Sequence, residues 1–269
     1  MTNERTKQNR RKPTIRVIRN LARSGGTLIG KCLGCMDHVT MISEFHPSDL
    51  NTTQPMKQAH EWFGLIDNKD IQRWKVRRPT AFQFVSICET RASSRGDKLL
   101  LRDWSHLDYI GVPFTKPNYG FALAEMLRGA YELETVSTVR HPIDQYLSLL
   151  QLPFVSGKLD LDSYIHGCFK FAQFAKENRF YRYEDFTKEP DSTLQSICKD
   201  LDLEYDDSYK QKWSSYSTIT GDTQQAIGRG STKKTIESFE RKPIDTVLLS
   251  RFQANSEYQQ TCELLGYSP

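Results

Sequence analysis

Short apolar runs alternate with stretches of helical periodicity through most of this sequence, and this alternation constrains the fold more than any other feature. Each run is about five to seven residues long and is bounded by polar or turn-forming residues, as buried strands of parallel sheets are. We predict strands at residues 15–21, 39–43, 98–102, 135–139 and 179–183. Strands separated in this way by helices predict an α/β fold, in which a central parallel sheet is flanked by helices in three layers.

The intervening stretches are predicted as the helices that connect the strands. They lie at residues 26–36, 55–66, 79–92, 119–131, 142–151 and 161–175. After residue 190 the pattern is mostly helical, with a Gly/Ser/Thr/Lys-rich interruption at 221–235. Ligands of such sheets bind where the carboxyl ends of the strands meet the following loops, so functional residues are sought there.

The excess positive charge lies at the start of the chain. The 269 residues include 37 Lys and Arg against 33 Asp and Glu. Residues 1–13 hold five of these bases and one of the acids, which leaves 32 charges of each sign in the rest of the chain. We therefore expect a basic disordered tail over residues 1–13, a single domain over 14–269, and no nucleic-acid-binding face.

Hydropathy and cysteine content favour a cytoplasmic protein. The chain has no run of 18 apolar residues, and its first residues lack the apolar stretch of a signal peptide. The six cysteines fit a reducing compartment. Cys32 and Cys35 form a C-x-x-C followed by His38, but no second ligand pair with metal-site spacing lies nearby. We interpret the two cysteines as one face of a buried helix, and expect no metal site.

The segment "IRVIRNLARSGGTLIGKC", residues 15–32, has two readings as a phosphate-binding loop. From Gly25 it spells G-x-x-x-x-G-K-C, which differs from a Walker A loop in one position. Cys32 stands where that loop needs the Ser or Thr that holds magnesium. This reading also delays the start of the helix to about Gly30, and it makes Lys31 essential.

The second reading begins at Arg23 and spells R-S-G-G-T directly after a predicted strand. Ser24, Gly25 and Gly26 would let the backbone wrap closely around an anion at the N-terminus of a helix, where free amides and the helix dipole favour negative charge. Arg23 adds a positive charge, and Thr27 adds a hydroxyl donor. This reading predicts a helix that starts at residue 26.

A second anion-binding pattern lies in "TVSTVRHPIDQYLSLL", residues 135–150. An apolar strand ends at Arg140, His141 and Pro142 open a helix, and Ser148 lies eight residues after the arginine. A guanidinium at a strand end can pair with a phosphate through two parallel hydrogen bonds, and Ser148 could reach the same group from the helix.

Together "LARSGGT", "VRHPIDQYLS" and "RFYRYEDF" resemble the motifs of the sulfotransferase family. These enzymes use 3′-phosphoadenosine 5′-phosphosulfate (PAPS) and release 3′-phosphoadenosine 5′-phosphate (PAP). The resemblance implies a P-loop-like version of the predicted three-layer fold. It also implies that residues 23–27 hold the 5′-phosphosulfate, that Arg140 and Ser148 bind the 3′-phosphate, and that Tyr183 lies near the adenine.

The resemblance extends from residue 15 to about residue 245. The segment "IGRGSTKK", residues 227–234, is similar to the late loop that closes over the nucleotide, which implies contacts from Arg229, Gly230 and Ser231.

The chain also departs from the family's patterns. The usual pair of adjacent threonines is Gly26-Thr27 here, and the basic position of the first loop is Arg23, as in bacterial and carbohydrate-directed members. Nothing matches the R-K-G-x-x-G-D-W ending of the animal small-molecule enzymes. The chain therefore resembles bacterial and carbohydrate-type members more than animal cytosolic enzymes.

Two clusters at strand ends offer a base for the acceptor. "MISEFHP" supplies Glu44 and His46, and resembles the position of the catalytic glutamate in carbohydrate sulfotransferases. "LLLRDWSHLDY" supplies Asp103, His106 and Asp108, near the position of the catalytic histidine in cytosolic members. We rank His106 and Glu44 level, ahead of Asp103 and His46.

The expected function is therefore transfer of a sulfuryl group from PAPS to a hydroxyl or amine of a small-molecule or carbohydrate acceptor. Arg23 and the loop amides would offset charge on the leaving 5′-phosphate during in-line displacement, without a metal ion. Two alternatives stay open: a nucleotide-dependent kinase, which needs magnesium, and a non-catalytic nucleotide-binding module.

Overall fold

A five-stranded, entirely parallel sheet runs through the centre of the protein, in the order β2-β3-β1-β4-β5. The computed structural model describes residues 12–221, 235–238 and 240–269. The strands are β1 (Thr14–Asn20), β2 (Val39–Phe45), β3 (Lys98–Asp103), β4 (Glu132–Val139) and β5 (Phe180–Arg182). The predicted α/β fold with a parallel sheet between helices is confirmed.

Helices connect the strands and follow the last one. They are α1 (Gly26–Gly34), α2 (Pro55–Lys57), α3 (Asn68–Val76), α4 (Ala81–Ser94), α5 (His106–Tyr109), α6 (Ala122–Leu127), α7 (Pro142–Leu149), α8 (Leu161–Glu177), α9 (Tyr183–Lys188), α10 (Pro190–Asp200), α11 (Tyr209–Lys212), α12 (Thr246–Ala254) and α13 (Ser256–Leu265). A π-helical turn, Gln58–Trp62, continues directly from α2.

Apolar side chains from both faces of the sheet form the core. Ile15 and Val17 of β1 pack into one cluster with helices α3 and α4, whereas Ile18 packs on the opposite face with α1 and α10. Leu99 and Leu100 of β3 divide between the two faces in the same way. A strand covered on both faces has an uninterrupted apolar run, which is why the strands were predictable from the sequence.

The predicted helix at residues 55–66 begins where expected but ends at Trp62, four residues early. Only three residues of α2 and the π-helical turn occupy it, and α3 follows where no helix was predicted. The buried side chain of Gln58 accepts a hydrogen bond from the Ser43 amide at 2.7 Å and donates to the Ser43 carbonyl at 2.9 Å, which ties this turn to β2. A capping box between Asp67 and Asp70 starts α3, whose polar surface gave little periodic signal.

Strand β1 lies between β3 on one side and β4 on the other, and the chain forms β2 and β3 on one side of β1 before it crosses to β4 and β5 on the other. The carboxyl ends of these strands lie side by side, with Arg19 paired in register with Asp103 and with Ser137. Such a point, where the strand order reverses, forms a crevice in which α/β proteins bind ligands. The predicted site residues follow these strand ends.

Three further features bear on the sequence analysis: the N-terminal tail, membrane-spanning helices and metal sites. Residues 1–11 of the expected basic tail lie outside the described residues, so the division at residue 13 stays a prediction. Within the described ranges, no helix is long and apolar enough to cross a membrane. In the same ranges, no group of three or more His, Cys, Asp or Glu residues is arranged to hold a metal ion.

Candidate functional site

The loop between β1 and α1 is a tight turn with two residues in the left-handed region. Arg23 has φ 72° and Gly25 has φ 86°. The Ser24 amide and hydroxyl both donate to the Leu21 carbonyl, at 3.2 and 2.6 Å, and close the turn. Helix α1 then begins at Gly26, as the R-S-G-G-T reading predicts and four residues before the Walker reading requires. The first amides of α1 are therefore the ones available to an anion.

Gly25 is in close contact with the aromatic ring of Tyr183. A Cβ atom at this position would lie 2.0 Å from Cδ2 of that ring, a distance that no real contact tolerates. A Cβ on Gly26 would lie 2.3 Å from Nδ2 of Asn20. The two glycines thus allow the loop to pack against its own protein neighbours, and at Gly25 the positive φ adds a second reason for glycine.

The three motifs that the sequence analysis singled out converge beside this loop. Arg23 Nε donates to Ser148 Oγ at 2.7 Å, although the two residues lie 125 positions apart. Arg140 Nη1 donates to the Arg23 carbonyl at 3.3 Å. The guanidinium of Arg140 lies 5.1 Å from the centre of the Tyr183 ring, within range of a cation–π contact. Tyr183 in turn covers Gly25.

Lys242 is a third cation at this place, and sequence reasoning missed it. Burial lowers the pKa of Lys242, and the nearby charges of Arg140 and Arg23 lower it further, whereas Asp144 opposes the shift. Its backbone amide donates to Asp144 Oδ1 at 3.0 Å, which anchors the segment after residue 240 to helix α7. Three basic side chains that repel one another form a site suited to a multiply charged anion. In the sequence, the adjacent basic residue Arg241 is the one feature that could have pointed to Lys242.

Arg229, Gly230 and Ser231, which the resemblance placed in a late nucleotide-binding loop, lie outside the described residues.

Glu44 is the second-last residue of β2, on the other side of the loop between β1 and α1. A register shift between Ile42 and Phe45 interrupts the strand, and Glu44 has φ 52°. Its Oε1 lies 3.3 Å from Nη2 of the buried Arg102. A Cβ on Gly221 would lie 3.0 Å from Thr27 Oγ1 and 3.1 Å from Glu44 Oε1, so Thr27 and Glu44 border the same small space. This β-bulge therefore turns the Glu44 carboxylate, near the end of β2, toward the loop between β1 and α1.

His106 begins the short helix after β3 and is almost fully buried. Its Nε2 lies 2.7 Å from the Val112 carbonyl, which can only accept, so Nε2 donates and Nδ1 carries the lone pair. Nδ1 is buried without a hydrogen-bond partner among the described residues. Burial lowers the pKa of His106, while the hydrogen bond to Val112 and the charge of Glu44 oppose this shift. The ring is therefore neutral near pH 7, with one basic nitrogen unoccupied.

The other base candidates belong to a buried ion-pair network centred on Arg19. Arg19 Nε donates to Asp103 Oδ2 at 3.0 Å, and its Nη2 lies 3.4 Å from Asp108 Oδ2. Asp108 Oδ1 lies 3.0 Å from His46 Nε2. Burial raises the pKa of Asp103, and the charge of Arg19 opposes this effect. These groups join the ends of β1, β2 and β3, which indicates a structural role, and sequence reasoning did not find Arg19.

The interpretation as a buried helix face holds for Cys32, whereas Cys35 directly follows α1 and is half-buried. Cys32 packs in the core, and Cys35 Sγ donates to the Cys32 carbonyl at 3.3 Å. Burial raises the pKa of both thiols, and that of Cys35 to about 11. Both are protonated at neutral pH, the form that is a poor nucleophile and a poor metal ligand.

Comparison with known proteins gives a result at the level of structure. The sequence matches no protein-family model and no curated protein. The sulfotransferase domain from the curacin biosynthetic pathway aligns with a TM-score of 0.65 and 17% identity, over 96% of this chain and 99% of that domain. The sulfotransferase domain from the Synechococcus PCC 7002 olefin synthase aligns with a TM-score of 0.66 and 15% identity, over 97% and 98% of the two chains. This chain therefore has a fold similar to that of these two domains.

Within this sulfotransferase fold, the predicted residues form two groups on either side of the α1 loop. Arg23, Arg140, Ser148 and Tyr183 lie together beside β4 and β5. Thr27, Glu44 and His106 lie toward β2 and β3. Asp103 and His46 face the Arg19 network instead. At 15 to 17% identity the likeness concerns the fold alone, so the roles of these residues are argued from their geometry.

Proposed function

We propose that this protein is a sulfotransferase that moves a sulfuryl group from PAPS to a hydroxyl or amine of a small-molecule or carbohydrate acceptor. The observation that carries this proposal is the convergence of Arg23, Arg140 and Lys242 beside the first amides of α1. PAPS has a phosphosulfate and a separate 3′-phosphate, and three cations next to a helix N-terminus can neutralise both groups. The order of strands and loops in a sulfotransferase fold supports the same assignment.

The proposed donor site divides between two ends of the nucleotide. Residues Ser24, Gly25, Gly26 and Thr27 hold the 5′-phosphosulfate through loop amides and the Thr27 hydroxyl, and Arg23 offsets its charge. Arg140, Ser148 and Lys242 hold the 3′-phosphate. Tyr183, which lies against Gly25 and Arg140, offers its ring to the adenine. PAP, the product, keeps all of these contacts except those to the sulfuryl group.

In the proposed reaction His106 is the base. Its Nδ1 accepts the proton of the acceptor hydroxyl or amine as that oxygen or nitrogen attacks sulfur, and the bond between sulfur and the 5′-phosphate oxygen breaks in line. Glu44 stabilises the imidazolium that forms, because its negative charge already raises the pKa of His106. Arg23 and the loop amides stabilise the charge that develops on the leaving phosphate.

This reaction does not require a metal ion. Sulfuryl transfer moves less negative charge than phosphoryl transfer, so fixed cations and amides can stabilise its transition state. The kinase alternative needs a hydroxyl after Lys31 to hold magnesium, and that position is the core residue Cys32.

The proposed function is tested with radiolabelled PAPS and a panel of alcohols, phenols, sugars and amines in the presence of a chelator. We expect a labelled product with at least one acceptor, together with release of PAP. Transfer of the label from γ-labelled ATP that depends on magnesium would favour the kinase. Binding of PAPS without product from any acceptor would favour a nucleotide-binding module.

Gly25→Ala is expected to weaken PAP binding at least tenfold, because the new methyl group collides with Tyr183 and displaces its ring from the donor site. Calorimetric titration with PAP measures the effect. Gly96→Ala is the matched control: Gly96 has φ 80° but no atom within 4 Å of the added methyl group. Both variants carry a similar backbone strain of about 1 kcal/mol, but only Gly25→Ala should lose affinity. Equal affinities for the two variants would contradict this contact.

The affinity for PAP is expected to decrease at alkaline pH through deprotonation of Lys242. Its pKa is lowered in the free protein, and a bound phosphate would raise it, so binding is coupled to proton uptake once the pH exceeds the pKa of the free protein. Below that pKa the affinity should be constant. In Lys242→Gln, titrations with PAP across this pH range should show no alkaline decrease in affinity. This variant should also bind PAP more weakly than the unmodified protein at neutral pH. The same alkaline decrease in Lys242→Gln would assign it to another group.

A further inference from the structure

The segment that follows helix α13, residues 266–268, packs against the proposed donor site. Gly266 ends the helix with φ 72°, and the Tyr267 amide donates back to the Cys262 carbonyl at 2.8 Å. This left-handed helix end, which favours glycine, reverses the chain and directs the next two residues toward α7 and α9. The backbone conformation of Gly266 therefore sets the direction in which residues 267 and 268 leave the helix.

Glu184 connects this segment to the loop that carries Arg140. One carboxylate oxygen, Oε1, accepts the backbone amide of His141 at 3.0 Å. The other oxygen, Oε2, accepts the hydroxyl of Tyr267 at 2.7 Å. His141 directly follows Arg140, and Glu184 directly follows Tyr183. A single carboxylate thus joins the neighbours of the two residues proposed to bind the 3′-phosphate and the adenine.

Further contacts fix the same three segments. Arg182 Nη1 donates to the Gly266 carbonyl at 2.7 Å, and its guanidinium lies 5.7 Å from the centre of the Tyr267 ring. His141 Nε2 lies 3.2 Å from the Ser268 carbonyl, and its ring meets the Tyr267 ring edge-on with centres 5.1 Å apart. The phenol of Tyr267 therefore lies between the start of α7 and the start of α9.

The hydroxyl of Tyr267 is well suited to hold the carboxylate in place. Burial, followed by the negative charge of Glu184, raises the pKa of Tyr267, so its hydroxyl stays protonated and donates. Hydrogen bonds from a hydroxyl to an ionised carboxylate are stronger than those between neutral groups. Without this donor, the Glu184 side chain can turn away from the His141 amide, and the loop at Arg140 loses its link to Tyr183.

We propose that Tyr267 is a positioning residue for the donor nucleotide, which acts through Glu184 to set the spacing between Arg140 and Tyr183. The inference rests on the proposed function, because it assumes that Arg140 and Tyr183 bind the nucleotide. It concerns binding and not the chemical step, since none of these contacts reaches Glu44 or His106.

The test is Tyr267→Phe, which removes only the hydroxyl. We expect the Kd for PAP and the KM for PAPS to increase about five- to twentyfold, with kcat at saturating PAPS unchanged. Tyr258→Phe is the matched control. The Tyr258 ring lies in the same region, 6.4 Å from the His141 ring, and its hydroxyl has no nitrogen or oxygen hydrogen-bond partner among the described residues, although it contacts the Cys262 thiol. The control should bind PAP as the unmodified protein does.

A double-variant comparison separates positioning from a general loss of stability. If Tyr267 acts by placing Arg140, adding Tyr267→Phe to Arg140→Ala should weaken PAP binding little beyond Arg140→Ala alone. Full additivity, or unchanged PAP binding by Tyr267→Phe, would overturn the inference while the proposed function stands. Equal loss in Tyr258→Phe would also overturn it. Failure of the unmodified protein to bind PAP would remove the proposed function and this inference together.

Discussion

Arg140→Ala is expected to weaken PAP binding by about 2 to 4 kcal/mol, roughly 30- to 1,000-fold, with a much smaller effect on 5′-AMP. Of the two nucleotides, only PAP has the 3′-phosphate with which the guanidinium is proposed to pair. Truncation also leaves that phosphate beside Arg23 and Lys242 without its third cation. Calorimetric titration with the two nucleotides measures the difference in binding free energy directly.

The structure adds a control to this measurement. Arg140 also donates to the Arg23 carbonyl and lies over the Tyr183 ring, so part of any loss could come from these contacts. Arg140→Lys keeps the positive charge but loses the planar fork. It should recover part of the affinity for PAP and leave 5′-AMP unchanged. Equal losses for PAP and 5′-AMP in Arg140→Ala would remove the residue from the 3′-phosphate site.

His106→Ala is expected to lower kcat by about 10²- to 10⁴-fold without a change in donor affinity, because the proton moves only in the transition state. His38→Ala is the matched control, since His38 is exposed and precedes β2, at the amino-terminal end of the strands and away from the strand ends that carry the site. It should retain normal turnover. Near-normal turnover of His106→Ala at every pH would place the base elsewhere.

The pH profile distinguishes His106 from Glu44. A histidine base must be neutral, so kcat rises with pH through its pKa. From the sequence alone this acid limb is expected near the ordinary histidine value of about 6.5, and burial of His106 now places it lower. Glu44→Gln removes a charge that raises this pKa, so its acid limb should move further down with a modest loss of kcat. If Glu44 is the base, Glu44→Gln should lose about 10²- to 10⁴-fold instead.

Local patterns predicted the framework of the site well. The strand that contains Arg19 and the strand that precedes Arg140 were found because burial on both faces leaves a continuous apolar run. The start of α1 at Gly26 followed from the glycines and from the apolar residues of the helix. Helix α3 was missed because only Ile71 and Trp74 contact the core, too few for a periodic signal.

The choice among base candidates was beyond the sequence. Four side chains at strand ends could not be distinguished as bases from the sequence: Glu44, His46, Asp103 and His106. Their hydrogen bonds in the structure differ. Asp103 and His46 belong to a network with Arg19, while Nδ1 of His106 has no hydrogen-bond partner in the part of the chain that the structure describes. The acceptor, a small molecule or a carbohydrate, stays a prediction from the resemblance.

The sequence by itself determined the parallel α/β sheet and limited the loop after β1 to two readings, because both depend on residues close together in the chain. Only the tertiary structure decided which distant residues meet. It brought Ser148 to Arg23, Lys242 to Arg140 and Tyr267 to Glu184. These contacts depend on how the helices cross between strands and on where α13 ends, and the pKa of each buried group depends on the charges that such crossings bring near it.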